Sequence, residues 1–349
     1  MNLPRMTGSG QLRRSLITIA AAATALMIAA CSSGSAGSSS SADPGPAASG
    51  AATGSVAPYT VTFGYISTGG SGLTGPWGFA YHQGLLQQWL KPYGITLNLA
   101  QFANGPLLTA AMVGGSVDMG VLGDTPALIA KSAGLQARFV SQPEVGLVAW
   151  LVGQPSIKTL NDLVGKTVAV QQGSYLDRYV QGLLQQNGLL GKVKLVPMLS
   201  AQSTPAFEAG SLDAILAQPT TWPALEKTGK NFNIIAKSET TPSLEGTQAA
   251  IISNSELAAH PNLASIWNIV RVKSDQYAEA NASAYYAWTA GQSNTTAALV
   301  QESAPLSDYP IPNFTANGTK QLQGTLNFLI SQNEAKAFSI QSWELQSNG

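Results

Sequence analysis

The chain is poor in the groups that carry most enzyme chemistry. Of 349 residues one is a cysteine, Cys31, and two are histidines, His82 and His260. A single thiol excludes an intrachain disulfide and a thiolate metal cluster, and leaves no cysteine nucleophile beyond residue 31. The histidines fall in an expected helix and ahead of Pro261, far apart in sequence, with no metal-ligand spacing and no serine relay. Phosphate-binding loops and the GxSxG nucleophile pattern are missing as well. Neither a cofactor nor a metal site is therefore expected. Charge is also scarce, at 18 Lys+Arg against 18 Asp+Glu. No basic run or stripe occurs, so nucleic acid is not an expected partner. Arg5, Arg13 and Arg14 lie in the first 30 residues; removing those three leaves 15 cations against 18 acids, near −3 for the remainder.

What is present begins with a leader. Arg13-Arg14 precede an apolar, small-residue run over residues 16–30, too short for a comfortable membrane span. It closes on Ile28-Ala29-Ala30-Cys31, which resembles a bacterial lipobox: small residues for signal peptidase, then a thiol for lipid. The plainer alternative is an ordinary secretory signal that ends near a cysteine. Arg13-Arg14-Ser15-Leu16-Ile17 also resembles a twin-arginine signal, although paired basic residues are common in leaders. Residues 32–58 are rich in Ser, Gly, Ala and Pro, with Asp43 as the one charge, and cannot bury a core. The expected organisation is a signal peptide over 1–30 and a flexible tether over 31–58, anchored to the membrane by lipid on Cys31.

From Tyr59 onward strand and helix signals alternate. Strands are expected over 60–66, 95–101, 117–122, 138–141, 167–170, 192–197, 212–217 and 232–236, with helices over 77–89, 175–187 and 204–210 and a mainly helical C-terminal region from 256. Residues 145–152 and 249–253 are expected to cross between two lobes. The most informative stretch is 105–126. Gly105-Pro106 opens a helix, Gly114-Gly115-Ser116 ends it, 117–122 form a buried strand, and Gly123-Asp124-Thr125-Pro126 turns into the next helix. Open α/β sheets place ligands at such strand-end turns. Residues 207–214 echo 111–119: helix, glycine stop, small residue, then an apolar-Asp-apolar strand. Such an echo is expected if two lobes share one α/β order.

These motifs, in order and spacing, resemble the nitrate/sulfonate/taurine-type solute-binding proteins of ABC importers. The matching residues are Gly105-Pro106-x-Leu108, Gly115-Ser116-Val117-Asp118-Met119-Gly120, Gly123-Asp124-x-Pro126, the run Ser156-Ile157-Lys158 through Val168-Ala169, Gly173-Ser174, and Ala209-Gly210-Ser211-Leu212-Asp213-Ala214. The resemblance implies an α/β fold of the type II periplasmic binding protein class. Each lobe would be a mixed sheet flanked by helices, with two crossover strands as the hinge. Lobe 1 would comprise 59–148 plus 252–349, and lobe 2 would comprise 149–251. It implies a monomer that closes on a small anionic or zwitterionic solute and docks on an ABC permease and ATPase complex outside the cytoplasm.

The resemblance also implies that strand-end turns of both lobes line one cleft. On this chain those are Ser67, Thr68 and Gly69 of a glycine-rich loop, Gly105, Gly123, Asp124, Thr125, Glu144, Gln172, Gly173, Ser174, Tyr175, Gln218 and Trp222. Gly173-Ser174 precede a helix whose free N–H groups favour an anion, while Ser174 also fits a plain helix cap. Asp124 and Glu144 would suit an ammonium group, with a cap on the next helix as the alternative for Asp124. Trp222 would stack on a ligand or belong to the core. Where many relatives carry Trp-Asp-Pro, this chain has Ala217-Gln218-Pro219, and its first loop is longer and richer in glycine. Ligand identity is therefore not transferable by analogy. The competing functions are a fold-sharing enzyme of cofactor or sulfur metabolism and an extracellular sensor domain.

Overall fold

Eleven strands form two sheets in the computed structural model, which describes residues 57–67 and 72–345. Cys31, the leader, all but the last two residues of the expected tether, and Thr68 and Gly69 lie outside the described residues. The strands are β1 (Tyr59–Ile66), β2 (Ile95–Phe102), β3 (Met119–Gly123), β4 (Ala137–Ser141), β5 (Val145–Leu147), β6 (Trp150–Gly153), β7 (Thr167–Val170), β8 (Lys194–Pro197), β9 (Ala214–Ala217), β10 (Asn233–Lys237) and β11 (Gly246–Ser253). The first sheet runs β2-β1-β3-β11-β4, with β5 paired beside β11; the second runs β10-β6-β9-β7-β8. In each, the strands that open a β–helix–β series are parallel, and the strand that arrives from the other sheet is antiparallel.

Alternation along the strands sends side chains to two cores per sheet. In the first sheet Val61, Phe63, Ala250 and Ile252 face a core shared with Trp77, Trp267 and Tyr285. Ala249 and Ile251 face the other, with Leu108, Leu322 and Trp343. C-terminal helices thus cover both faces. The second sheet is covered likewise, by Tyr179, Val180 and Leu184 on one side and by Phe207, Leu225 and Phe232 on the other.

The sequence echo is structural. Gly115 and Gly210 both take the left-handed conformation, φ +72 and +80°, that ends a helix. Beyond each stop an aspartate clamps the neighbouring parallel strand. Asp118 Oδ2 accepts from Thr62 N at 2.7 Å while Asp118 N donates to Thr62 O at 3.0 Å. Asp213 Oδ2 accepts from Thr167 N at 2.8 Å while Asp213 N donates to Thr167 O at 3.1 Å.

Two expectations change. The helix expected over 77–89 is two, Gly75–His82 and Leu85–Leu90, because Gly84 adopts φ +73° between them. The crossing expected at 249–253 lies earlier, since β11 pairs with β3 and β4 along its length and so belongs to the first sheet. The return connection therefore runs between Lys237 and Gly246, and residues up to 251 do not all belong with the second sheet. Outward, the chain crosses from β5, paired on β11, into β6 of the second sheet. Arg178, from the helix Tyr175–Gln186, donates through Nη2 to Leu244 O and Glu245 O at 2.9 and 2.6 Å, fixing the return connection.

Candidate functional site

The first sheet presents a polar row where its parallel strands end. Tyr65 pairs with Val121, so Ser67 continues the register to the level of Gly123, which itself pairs with Gln248. All three share the sheet face of Phe63, Val121 and Ala250, because strand residues two apart point the same way. Ser67 donates its backbone N–H to Phe102 O at 3.0 Å, yet its buried hydroxyl has no partner among the described residues. Glu144, from the outbound crossover, accepts from Gln248 twice: at its backbone oxygen, 2.8 Å, and at Oε2 from Nε2, 2.5 Å. Asp308 and Tyr309 complete the row. Burial, followed by the nearby Asp308 carboxylate, pushes the Glu144 carboxyl up to about 8, against weaker stabilisation by hydrogen bonds from Tyr309 and Gln248. Burial likewise pushes Asp308 up to about 6.

The second sheet contributes Tyr175. Its ring fills the space over two glycines: a β-carbon added at Gly246 would lie 3.0 Å from Tyr175 Cβ, and one at Gly123 would lie 3.5 Å from Cδ1. Its hydroxyl donates to Val148 O at 3.3 Å and accepts from Gln218 Nε2 at 3.1 Å. Tyr175 therefore touches both sheets and the outbound crossover. Nearby, a β-carbon added at Gly173 would lie 3.3 Å from Pro106 Cγ, and Gln171 Nε2 donates to Ala103 O at 3.3 Å.

Other expected site residues are turned elsewhere. Asp124 is fully buried: Oδ1 accepts from Thr125 N and Oγ1 at 2.6 and 3.0 Å, and Oδ2 from Thr247 N and Thr325 Oγ1 at 3.3 and 3.0 Å. Asp124 and Thr125 thus knit β11 and the helix Ala316–Ser331 to the end of β3, and the cap position of the next helix belongs to Gly123. Gly105 packs so tightly on Pro126 that any β-carbon there would overlap it. Trp222 is half-buried, edge-on to Trp150 at 6.4 Å. Gln172 is exposed, on a separate cavity of about 370 Å³ shared with Gly173, Asp177 and Glu334.

The helix start at Ser174 is already occupied. Ser174 Oγ accepts from Asp177 N at 3.3 Å, and the Asp177 carboxylate accepts from Gly173 N at 2.9 Å. The chain's own carboxylate takes the place offered to an anion. Both buried guanidinium groups are committed too: Arg178 to the return connection, and Arg271 to Asp275 at 3.0 Å and to Pro310 O and Ile311 O. The Arg271 bonds hold the loop that carries Asp308 and Tyr309.

Sequence reasoning missed Gln248, Asp308, Tyr309 and Asp177. Gln248 was visible as the one amide in the otherwise apolar end of β11. Asp308-Tyr309 sit between Pro305 and Pro310, a break within a region read as mainly helical.

A family model described as NMT1/THI5 like matches residues 86–282, more than half of the chain. The chain belongs to the NMT1/THI5-like family. An Escherichia coli K12 protein with a provisional aliphatic sulfonates-binding name is 31% identical over 123 residues, 34% of this chain and 38% of its own. The taurine-binding periplasmic protein of the same strain is 28% identical over 142 residues, 40% of this chain and 44% of its own. The chain thus spans less than half the length of these two relatives. Among solved structures, the alkanesulfonate-binding protein SsuA from Xanthomonas axonopodis pv. citri, bound to MOPS, superposes with a TM-score of 0.65 at 23% identity, covering 80% of this chain and 96% of that one. The desulfurization enzyme DszB superposes with a TM-score of 0.60 at 15% identity, covering 82% and 96%. The fold is that of the two-lobed type II periplasmic binding proteins, and it is shared by binding proteins and at least one enzyme.

Proposed function

We propose that the chain is the extracytoplasmic solute-binding component of an ABC importer, not an enzyme, and that it carries a small anionic or zwitterionic organic solute between its two sheets. The observation that carries this reading is the convergence at Tyr175. One side chain bridges the strand ends of the first sheet, the outbound crossover and Gln218 of the second, as a hinged clamp requires. Membership of the family and the names of its sulfonate- and taurine-binding relatives support it. In this reading Cys31 carries the lipid, the tether spans 31–58, the protein is a monomer, and a permease and ATPase complex accepts the cargo. Enzymatic turnover is disfavoured because the folded body contains no cysteine and neither histidine reaches the cleft residues; His260 stacks on Tyr59, and His82 on Trp288.

The test is a thermal-shift screen, followed by calorimetry, over taurine, alkanesulfonates, nitrate, amino acids and pyrimidines. A stabilising ligand returned unchanged after incubation is the expected result. No shift across the panel, or a ligand consumed by the protein, would sink the carrier reading.

A further inference from the structure

Resting on the solute-binding reading, we propose that Glu144, Asp308, Gln248 and Ser67 form a subsite for a primary ammonium group, so that the cargo carries an amine. The row is oversupplied with acceptors. Gln248 spends its Nε2 donor on Glu144, and its buried Oε1 has no partner among the described residues. Ser67, only 8% exposed, lies on the same sheet face at the same strand-end level, and its hydroxyl has no partner among the described residues. Gly146, in β5, brings the backbone within reach of Asp308: a β-carbon there would stand 3.7 Å from Oδ2. Two carboxylates, an amide oxygen and a hydroxyl thus lie along one strand-end row, where the side-chain donors among the described residues are the Gln248 amide and Tyr309 on Glu144 and Ser307 on Asp308. A compact cation with three N–H groups satisfies three of these four groups at once.

The surrounding charges agree. The groups acting on Glu144 are Asp308, Tyr309 and Gln248, and Glu144 in turn acts on Tyr175, Tyr285 and Tyr309; no cationic side chain is among them. Glu245 acts on Asp308 with the same sign. Without a cation, Glu144 holds a proton near neutral pH; an arriving ammonium replaces that proton, which leaves to the buffer. Glu144, Gln248 and Asp308 each retain partial exposure, so the group is reachable from solvent. The pattern is distinct from the carboxylates that serve the fold, Asp118, Asp124 and Asp213, each of which has an oxygen bonded to a backbone N–H, with Asp213 also paired to Lys166 at 3.7 Å.

Isothermal titration separates this proposal from the carrier reading. Taurine and ethanesulfonate share a sulfonate and differ by the amine. The wild-type protein should bind taurine at least tenfold tighter, and titrations at pH 7 in buffers of different ionisation enthalpy should report release of about one proton per taurine. Glu144→Gln should bring the two affinities together and abolish the proton release. Should that variant fold poorly, Ser67→Ala tests the same subsite: taurine should weaken and ethanesulfonate should not. Equal affinities in the wild type, or a preference that survives Glu144→Gln, would overturn the subsite. Ethanesulfonate binding without taurine binding would overturn it and leave the carrier reading standing. Silence from both overturns it too, and the carrier reading then depends on the wider screen.

Discussion

Replacing Asp124 by asparagine separates a structural carboxylate from a ligand-binding one. Its two oxygens accept four hydrogen bonds in a fully buried setting, from Thr125 N and Oγ1 on one side and from Thr247 N and Thr325 Oγ1 on the other. In the Asp124→Asn variant the amide oxygen would keep the shorter bond, to Thr125 N. The introduced NH2 would then face Thr247 N. The Thr325 hydroxyl can rotate to accept, but the Thr247 N–H cannot, so one buried backbone donor is orphaned. That penalty is about 1–3 kcal/mol, and loss of the charge from the remaining bonds brings the total to roughly 2–4 kcal/mol. Asp124→Ala, which strands all four donors, should cost more, roughly 4–5 kcal/mol. Urea unfolding should show the midpoint fall with an unchanged slope, since the fold and the surface it buries are retained. Ligand affinity, measured well below the unfolding midpoint, should stay within a factor of about two, under ~0.5 kcal/mol. A variant as stable as wild type that has lost its ligand would refute this reading and return Asp124 to the cleft.

Three further outcomes follow from named contacts. Glu144 titrates near 8 in the folded chain against 4.5 unfolded, so the fold binds the proton more tightly. The associated stability is complete below pH 4.5 and drains away as pH rises toward 8. At about 1.4 kcal/mol per pH unit the ceiling is near ~5 kcal/mol, and partial exposure reduces the expected loss to roughly 1–2 kcal/mol. Glu144→Gln should remove that slope from a series of ligand-free melts between pH 5 and 8; parallel curves for variant and wild type would refute the assignment. Gly105→Ala drives a methyl into Pro126, whose ring cannot rotate away, and should cost roughly 1–3 kcal/mol in denaturant; a neutral result would mean the two helix starts are loosely packed. Asp118→Ala and Asp213→Ala should cost similar amounts, roughly 1–2 kcal/mol each, because each removes the acceptor of one backbone N–H on a parallel strand, and the partly exposed Lys166–Asp213 pair adds little; a fivefold disparity in measured cost would show the echo to be superficial.

The fold was legible because its signals are local. Glycine stops, β-branched strands and the repeated apolar-Asp-apolar motif each act within about ten residues, and the two copies of that motif carry the same clamp in both sheets. The crossing point was not legible. Residues 246–253 are equally apolar whichever sheet receives them, and only pairing with β3 and β4 decides. Around the candidate site, the turns at Gly123 and at Gly173–Tyr175 were legible because turn chemistry is written in sequence. What each polar side chain does there depends on partners 100 to 200 residues away. Thr325 is bonded to Asp124 across 201 residues, and Gln248 to Glu144 across 104. Asp124 and Glu144 look alike as residues in strand-end turns. One is saturated by donors and the other is not.

That difference is also the physical ground for dividing the acidic residues by role. A carboxylate that finishes a strand or a helix finds its donors supplied by the chain: Asp118 and Asp213 take backbone N–H groups, and Asp177 takes Gly173 N. Glu144 is placed at a loss. Burial and Asp308 both oppose its charge, its side-chain donors are one Gln248 amide and Tyr309, and the two buried arginines are bonded elsewhere. A fold under no other demand would relieve this with a neutral side chain, as Glu144→Gln does. Misplaced charge of this kind concentrates where a ligand supplies the missing partner. An anion at the Ser174 helix start would instead have to displace Asp177, which the helix already holds through its own backbone. The two ends of the cleft are therefore unequal: the strand-end row of the first sheet lacks a cation, whereas the helix start of the second already has its anion. In the proposed reading, a zwitterion oriented with its amine toward Glu144 supplies the cation that this row lacks.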